Sequence, residues 1–102
     1  MADGHTLVAP RRHVDDIFAL GQDTGAAVWT LTLAVARRLD DVLTPDGMTL
    51  FQANRAAGWQ DVFHFHIHLV PRWHGDSLVR PWHYTPGDPE RLDEVAARLN
   101  AE

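Results

Sequence analysis

The sequence predicts one α+β domain in which a small antiparallel sheet carries helices on one face. The chain has 102 residues, 45% of them hydrophobic, which is enough for one modest core. Strand-like and helix-like segments alternate along it. The connection between the last two strand candidates is only about eight residues, too short for the crossover helix of a parallel pair. We therefore predict a single domain over residues 1–102 with antiparallel strands, one long helix and a C-terminal helix.

The first elements are short. Thr6–Ala9 has the composition of a strand, and Pro10 ends it because proline has no N–H and a fixed φ. Val14–Leu20 is compatible with a short helical turn. A longer helix follows, capped by Asp23 or Thr24 and reaching about Val42. Its apolar positions follow the three/four spacing of an amphipathic helix: Val28, Leu31, Val35, Leu39 and Val42.

The second half of the chain begins with a turn at Thr44–Gly47. Met48–Ala53 alternates like a strand, and Asn54–Gly58 is a loop. The next strand is predicted over Val62–Val70 and ends at Pro71. An irregular loop fills residues 72–87. A C-terminal helix then starts with Asp88 as cap and Pro89 as first helical residue, with an apolar side formed by Leu92, Val95, Ala96 and Leu99.

The most informative feature is the alternation of His64, His66 and His68 within the predicted third strand. Successive strand side chains point to opposite faces, so the three imidazoles share one face, with neighbours roughly 6.5 to 7 Å apart. The opposite face is expected to turn toward the core, with Phe63, Phe65, Ile67 and Leu69.

Two kinds of chemistry fit three histidines on one face. A single zinc held by all three is improbable, because the first and third are roughly 13 Å apart by strand rise. A histidine pair completed by His13, His74 or His83 stays open, but no spacing indicates it, and we predict no metal site. The other chemistry is nucleophilic attack on phosphorus, in which one ring nitrogen is free, the other is held by an acceptor, and flanking histidines move a proton.

Composition restricts the partners. The net charge is −5 and the sequence pI about 5.7, without the basic surface typical of nucleic-acid-binding domains. There is no cysteine, no apolar stretch long enough to span a membrane, and no signal-peptide pattern at the N-terminus. We predict a cytoplasmic protein that binds a small ligand, with neither a nucleic-acid nor a membrane partner.

The residues resemble a known family. His64–Val70 reads His, apolar, His, apolar, His, apolar, apolar, and is similar to the signature of the histidine triad superfamily. Gly4–Val14 is similar to the family's earlier block Gly-His-x-Leu-x-x-Pro-Lys/Arg-x-His. The positions of Asn54, Gln60 and Pro71-Arg72 also agree with the family pattern.

The resemblance implies a nucleotide-binding enzyme that cleaves at the α-phosphorus of nucleoside phosphoramidates, acyl-adenylates or dinucleoside polyphosphates. It implies that His66 is the nucleophile that takes up the nucleotidyl group, and that histidine at the third triad position goes with hydrolases. It further implies a homodimer and chemistry without metal or other cofactor. The remaining implied roles are orientation and phosphate contact for His64 and His68, a phosphate neighbour in His13, and ribose or phosphate contacts for Asn54 and Gln60.

Two departures from the family pattern change these expectations. Gly58–Val62 carries an additional Trp59, and Asp61 stands where relatives have a hydroxyl near the phosphate. An ionised Asp61 would repel a phosphate, so it points away, is protonated or meets a positive part of the substrate. Typical members have some forty residues before the first block, so we expect the N-terminal hairpin to be missing here, either because the chain is a shortened form with weak or altered substrate binding or because its start was set at an internal position. The alternative function is therefore a truncated, non-catalytic module that binds a nucleotide or a partner protein.

Five further aromatic or imidazole side chains have an expected position. Trp29 is expected in the core or a dimer contact. Trp73 and Trp82 are expected either to touch substrate or to pack as a lid. His74 and His83 are expected on the surface of the same loop.

Overall fold

The computed structural model describes residues 3–78 and 86–101, and it confirms the α+β class. Two α-helices and three strands form the main elements, with two short 3₁₀ turns between them at Ile17–Ala19 and Ala56–Gly58. In chain order the main elements are β1 (Thr6–Val8), α1 (Gln22–Leu43), β2 (Gly47–Phe51), β3 (Ile67–Arg72) and α2 (Pro89–Asn100).

The sheet is antiparallel throughout, with strand order β1-β3-β2. The strand that carries the histidine motif is therefore central. Its residue His68 lies opposite Leu7 of β1 and opposite Phe51 of β2. Directly paired residues of neighbouring strands share a face, so these three side chains lie in one row.

Helix α1 packs against β3 and β1 and builds the core on one face of the sheet. Leu69 is completely buried at the centre of this core. Inside the helix, the buried Thr32 satisfies its hydroxyl by donating to the carbonyl oxygen of Val28, at 2.8 Å. The other buried core residues are Val8, Val14, Val28 and Phe65.

Helix α1 differs from the prediction in its N-cap residue and in the residues that its buried face contains. Gly21, not Asp23 or Thr24, occupies the N-cap position, and the helix ends one residue beyond the predicted end, at Leu43. Of the predicted apolar positions, Val28, Val35 and Leu39 pack in the core. Leu31 and Val42 are instead half exposed, because one helix covering a three-stranded sheet buries a narrow stripe.

The third strand is shorter at its start than predicted and longer at its end. It begins at Ile67, not Val62, because β1 and β2 supply partners only from Ile67 and His68 onward. It passes through Pro71, which pairs with Met48, and ends at Arg72. The other two strands are also shorter than predicted at one end, since β1 stops at Val8 and β2 at Phe51.

The predicted inward face of the histidine segment is correct from Phe65 onward. Phe65 and Leu69 are buried and Ile67 packs against the core. Phe63 is 54% exposed, because it lies in a bend before the sheet begins.

Helix α2 begins as predicted. The Asp88 side chain accepts a hydrogen bond from the Glu90 N–H at 3.2 Å, and Pro89 is the first helical residue. Its apolar side is only partly covered, since Leu92 and Leu99 are exposed. The sequence prediction of helices on one face of the sheet therefore holds for α1, while α2 contacts no other described element. Within residues 3–78 and 86–101, neither helix has the length and apolar character required to cross a bilayer.

Candidate active site

His66 lies one residue before β3, and the main chain fixes its ring. Its Nδ1 is 2.6 Å from the carbonyl oxygen of His64. A carbonyl oxygen only accepts, so the hydrogen of this bond belongs to Nδ1 of His66. The lone pair of the imidazole is then on Nε2, and no described residue forms a hydrogen bond to that atom. This is the tautomer that nucleophilic chemistry requires.

His64 is fixed at both ring nitrogens by the segment that follows β1. Its Nε2 donates to the carbonyl oxygen of Pro10 at 2.8 Å. Its Nδ1 accepts the N–H of Val14 at 3.4 Å, and the next residue, Phe65, donates its own N–H to the carbonyl oxygen of Val14 at 2.6 Å. With both nitrogens engaged, His64 holds the main chain whose carbonyl orients His66.

His68 is fixed by side chains. Its Nδ1 is 2.8 Å from Nε2 of His5, and one of these two nitrogens carries the shared hydrogen. The Phe51 ring stacks on the imidazole with centroids 4.0 Å apart and planes inclined by 10°. The His66 ring meets it edge-on, with centroids 4.8 Å apart, closer than the spacing expected from strand rise because the rings lean together.

This environment lowers the pKa of His68 from its ordinary value of 6.5. Burial is the largest cause, because it disfavours the charged imidazolium, and charges on His66 and His5 act in the same direction. The negative charge of Asp61 opposes them and raises the pKa. Asp61 is exposed and acts on the third histidine through space.

His13 reaches the site through His64. The two rings stack with centroids 5.3 Å apart and an interplanar angle of 25°. The Nε2 of His13 is 2.6 Å from Oδ1 of Asp15, and both side chains are mostly exposed. The structure therefore brings His13 to the edge of the triad, in an open position.

Asn54 joins the segment around Ile17 to the loop that follows β2. Its Oδ1 accepts the N–H of Ile17 at 2.8 Å. Its amide also forms a reciprocal pair with Gln52, with bonds of 2.6 and 2.7 Å. One of the two Nδ2 hydrogens of Asn54 is left over after these contacts.

Gln60 is buried, with 5% of its surface exposed, and its amide bonds three main-chain groups. Its Oε1 accepts the N–H of Arg55 at 2.6 Å. Its Nε2 donates to the carbonyl oxygens of Asp15 and Val62, at 2.6 and 3.1 Å. One side chain thus ties the loop before the triad to the segment that carries His13.

The loop around Gln60 has two unusual backbone conformations. Arg55 has φ 64° and ψ 162°, and Trp59 has φ 74° in the left-handed region, both of which favour glycine. Arg55 also places its guanidinium 4.2 Å from the centroid of the Phe18 ring and 3.8 Å from the Asp16 carboxylate. The Trp59 side chain is 60% exposed.

The loop after the triad is organised by an ion pair. Arg72 donates from Nε and Nη2 to the two carboxylate oxygens of Asp76, both at 2.8 Å. The carboxylate also accepts the N–H groups of Trp73 and Leu78. The Arg72 bonds hold the pKa of the Asp76 carboxyl far below its usual value. Trp73 is thus positioned through its main chain, while Trp82 and His83 lie outside the described residues.

Two residues of this arrangement were missed by sequence reasoning. His5 belongs to the Gly-His block but had no assigned role, and Phe51 was only a strand residue. Strand pairing could have indicated them, because β1 and β2 flank His68 in the sheet. His5 directly precedes β1, and Phe51 ends β2. Trp29, expected in the core or a dimer contact, is half exposed in this chain.

The described part of the chain contains no group of three or more His, Asp or Glu side chains arranged to hold a metal ion. The arrangement instead offers the Nε2 atom of His66, to which no described residue forms a hydrogen bond, and the bonded pair of His68 and His5 beside it. That arrangement suits attack on phosphorus followed by proton transfer.

Comparison with known proteins identifies the class. Residues 1–75 match the family model of the HIT domain, so the chain belongs to the HIT family. An uncharacterized HIT-like protein of Mycoplasma genitalium is 40% identical over 73 residues, which are 72% of this chain and 52% of that protein. The chain thus spans about half the length of this relative.

A second relative bears a functional name. AP-4-A phosphorylase of Mycobacterium tuberculosis is 32% identical over 75 residues, 72% of this chain and 38% of that protein.

Solved structures confirm the fold. A HIT family protein of Bacillus anthracis superposes with a TM-score of 0.81 at 33% identity, covering 96% of this chain and 72% of its own. A zinc-bound histidine triad family protein of Mycobacterium smegmatis superposes with a TM-score of 0.68 at 35% identity, covering 95% and 71%.

Proposed function

We propose that the protein is a nucleotidyl hydrolase that cleaves nucleoside phosphoramidates, acyl-adenylates or dinucleoside polyphosphates at the α-phosphorus. The observation that carries this proposal is the 2.6 Å bond from Nδ1 of His66 to the carbonyl oxygen of His64. In the neutral ring this bond places the lone pair on Nε2, an atom to which no described residue forms a hydrogen bond. Membership of the HIT family and a relative named AP-4-A phosphorylase support a nucleotide as the substrate.

The reaction proceeds in two balanced steps. In the first, the Nε2 lone pair of His66 forms a bond to the α-phosphorus while the bond from phosphorus to the leaving amine, carboxylate or phosphate breaks with its electron pair. In the second, water attacks the same phosphorus, the phosphorus–nitrogen bond breaks, and the nucleoside monophosphate leaves. Two easier displacements replace one difficult one, which is the advantage of covalent catalysis.

The two steps require a proton to move to a basic leaving group and later away from water. His68 is the candidate, because it lies 4.8 Å from His66 between ring centroids and shares a hydrogen with His5. The protonated ring, a minor form because the pKa of His68 is lowered, gives its proton to the leaving group in the first step, and the neutral ring takes up the proton of the attacking water in the second. His64 acts differently: both of its nitrogens are occupied, so it positions His66.

The remaining polar residues divide into contacts and supports. His13 and the remaining amide hydrogen of Asn54 are proposed to contact phosphate or ribose. Gln60 is proposed to position the loop, because its amide already bonds Arg55, Asp15 and Val62. Asp61 is proposed to act on the charge of His68 and not to contact phosphate.

Assembly and location belong to the same proposal. We propose a homodimer, supported by large apolar side chains exposed on α1, among them Trp29, Leu33 and Val42. Light scattering coupled to gel filtration measures the mass. A cytoplasmic location is proposed from the absence of cysteine.

The test is to trap the covalent intermediate. The purified protein is mixed with adenosine 5′-phosphoramidate, quenched in alkaline denaturant to protect the histidine–phosphorus bond, and examined by intact and peptide mass spectrometry. We expect an adenylyl adduct on His66 and release of AMP, with both lost in His66→Ala. His74→Ala is the matched control, because only its main-chain N–H makes a described contact, to Asp46.

Three outcomes decide between the alternatives. An adduct on another residue, or turnover retained in His66→Ala, overturns the assigned nucleophile. Calorimetry that shows AMP binding without turnover favours the non-catalytic module. Because one HIT-family structure is zinc-bound, the assay is repeated with a chelator, and loss of turnover that zinc restores overturns the metal-free reaction.

A further inference from the structure

Phe51 makes a contact with the candidate site that the proposed chemistry does not use. It ends β2 directly opposite His68 of β3. Its ring lies 4.0 Å from the imidazole between centroids, at an angle of 10°. Phe51 is nevertheless 46% exposed, so it is not held there by burial in a core. The ring covers one face of the third histidine.

Two other contacts restrain the same imidazole in different directions. His5 holds Nδ1 by the 2.8 Å bond, with its own ring tilted by 50°. The His66 ring approaches edge-on at 62°. A hydrogen bond fixes one ring atom but permits the ring to turn, because the terminal torsion of histidine is broad. A flat neighbour parallel to the ring restrains that rotation.

Among residues 3–78 and 86–101, no other side chain is a candidate for this restraint. The charged or titratable groups that act on it are His66, His5 and Asp61, and strand β2 contributes none. Leu7, its partner on β1, lies in the same row but is aliphatic and 56% exposed. Helix α1 packs on the opposite face of the sheet. Phe51 is therefore the described side chain that can fix the plane of the ring by parallel stacking.

We propose that Phe51 is a positioning residue that holds the ring plane of His68 and so fixes the direction in which this histidine exchanges a proton beside His66. The role rests on the proposed hydrolase function. It is independent of substrate binding, because Phe51 acts through the imidazole. A bulky aliphatic residue fills similar space but offers no flat face, which separates stacking from simple packing.

The experiment compares three variants in the full chain. Phe51→Leu keeps an apolar side chain and removes the flat ring, whereas Phe51→Tyr keeps the ring. Leu50→Ala is the control in the same strand, since Leu50 points to the other face opposite Leu69. Steady-state kinetics with adenosine 5′-phosphoramidate gives kcat and KM, and NMR of selectively labelled histidine gives the ring-proton shifts of His68.

We expect Phe51→Leu to lower kcat about three- to tenfold with KM unchanged, as loss of one aromatic pair predicts. The His68 ring protons should lose the upfield shift that a stacked phenyl ring causes. Phe51→Tyr should retain both properties, and Leu50→Ala should retain both as well.

Two results overturn the proposal. One is a Phe51→Leu variant with unchanged kcat and unchanged His68 shifts. The other is an equal loss in the Leu and Tyr variants, which assigns the effect to strand packing. If the wild-type protein hydrolyses none of the substrates, the proposed function fails. The His68 shifts then still decide whether Phe51 fixes the ring.

Discussion

The two halves of the histidine motif are held by different kinds of contact. His64 and His66 precede β3 and are bonded to main-chain groups: the Pro10 and His64 carbonyl oxygens and the Val14 N–H. His68 lies within β3 and is held by two side chains, His5 and Phe51.

The backbone therefore determines the ring positions of His64 and His66, whereas neighbouring side chains determine the ring position of His68. Main-chain groups cannot be substituted, so the tautomer of His66 persists as long as the loop keeps its shape. The ring position of His68, by contrast, depends on two replaceable side chains, His5 and Phe51. We infer that damage to the first half unfolds the site, whereas changes in the second half alter the rate. The following predictions test this division, beginning with the largest expected effect.

Phe65→Ala should produce the largest loss of stability. Phe65 is buried between the two histidines of the first half, so truncation leaves a cavity and should cost about 3 to 5 kcal/mol of unfolding free energy. Urea denaturation measures it. Phe63→Ala, the same substitution two residues earlier at a half-exposed position, should cost no more than about 0.5 kcal/mol. Equal losses of unfolding free energy in the two variants would contradict the assignment of Phe65 to the core.

Gln60→Ala should have the second largest effect and lower the unfolding free energy by about 2 to 3 kcal/mol. It leaves the N–H of Arg55 and the carbonyl oxygens of Asp15 and Val62 without their side-chain partner. The same denaturation measurement applies. Gln22→Ala at the exposed start of α1 is the matched control and should be near neutral. A neutral Gln60→Ala variant would show that the loop does not depend on this side chain.

His5→Ala should lower kcat about tenfold while leaving the His66 adduct detectable, because the second half affects proton transfer and not the nucleophile. The adduct is followed by mass spectrometry and kcat by AMP release. His5→Gln offers an amide that can still bond Nδ1 of His68, and it should recover part of the rate. A complete loss of the adduct in His5→Ala would show that His5 is required for the nucleophile His66 itself.

The smallest effect concerns pH. His68 has a lowered pKa in the folded protein, so the unfolded chain binds a proton more readily as the pH falls below about 6.5. The stability contributed by the neutral ring is thus present above that value and is lost as the pH falls further, through the folded pKa. We expect a smaller loss than in the preceding variants, given that solvent screens a half-buried ring. Denaturation of wild type and His68→Asn at about pH 7.5 and 5.5 measures it. An equal pH dependence in both proteins would contradict this effect.

Local patterns predicted the elements and part of the site. The α+β class, the position of the long helix and the Asp88–Pro89 start of α2 follow from periodicity and capping, which act over a few residues. The substrate-binding roles assigned to His13, Asn54, Gln60 and Asp61 stay predictions, because the described contacts of these residues are with other parts of the chain.

Contacts between distant segments explain what sequence patterns missed. The start of β3 depends on where its neighbours end, which the alternation of His64, His66 and His68 does not contain. The His5–His68 bond joins residues 63 positions apart, and Gln60 bonds the main chain 45 positions away at Asp15. Such pairings arise from strand order and loop packing, not from any short motif.

The loop from Asn54 to Gln60 should be the first part of the site to unfold when the protein is warmed. Arg55 and Trp59 adopt backbone conformations that cost non-glycine residues about 1 to 3 kcal/mol each. The single buried amide of Gln60 offsets part of that cost. This segment should therefore open at temperatures at which the sheet and α1 are still intact. Catalysis would fade before the circular dichroism signal, and cooling would restore it without refolding of the whole chain.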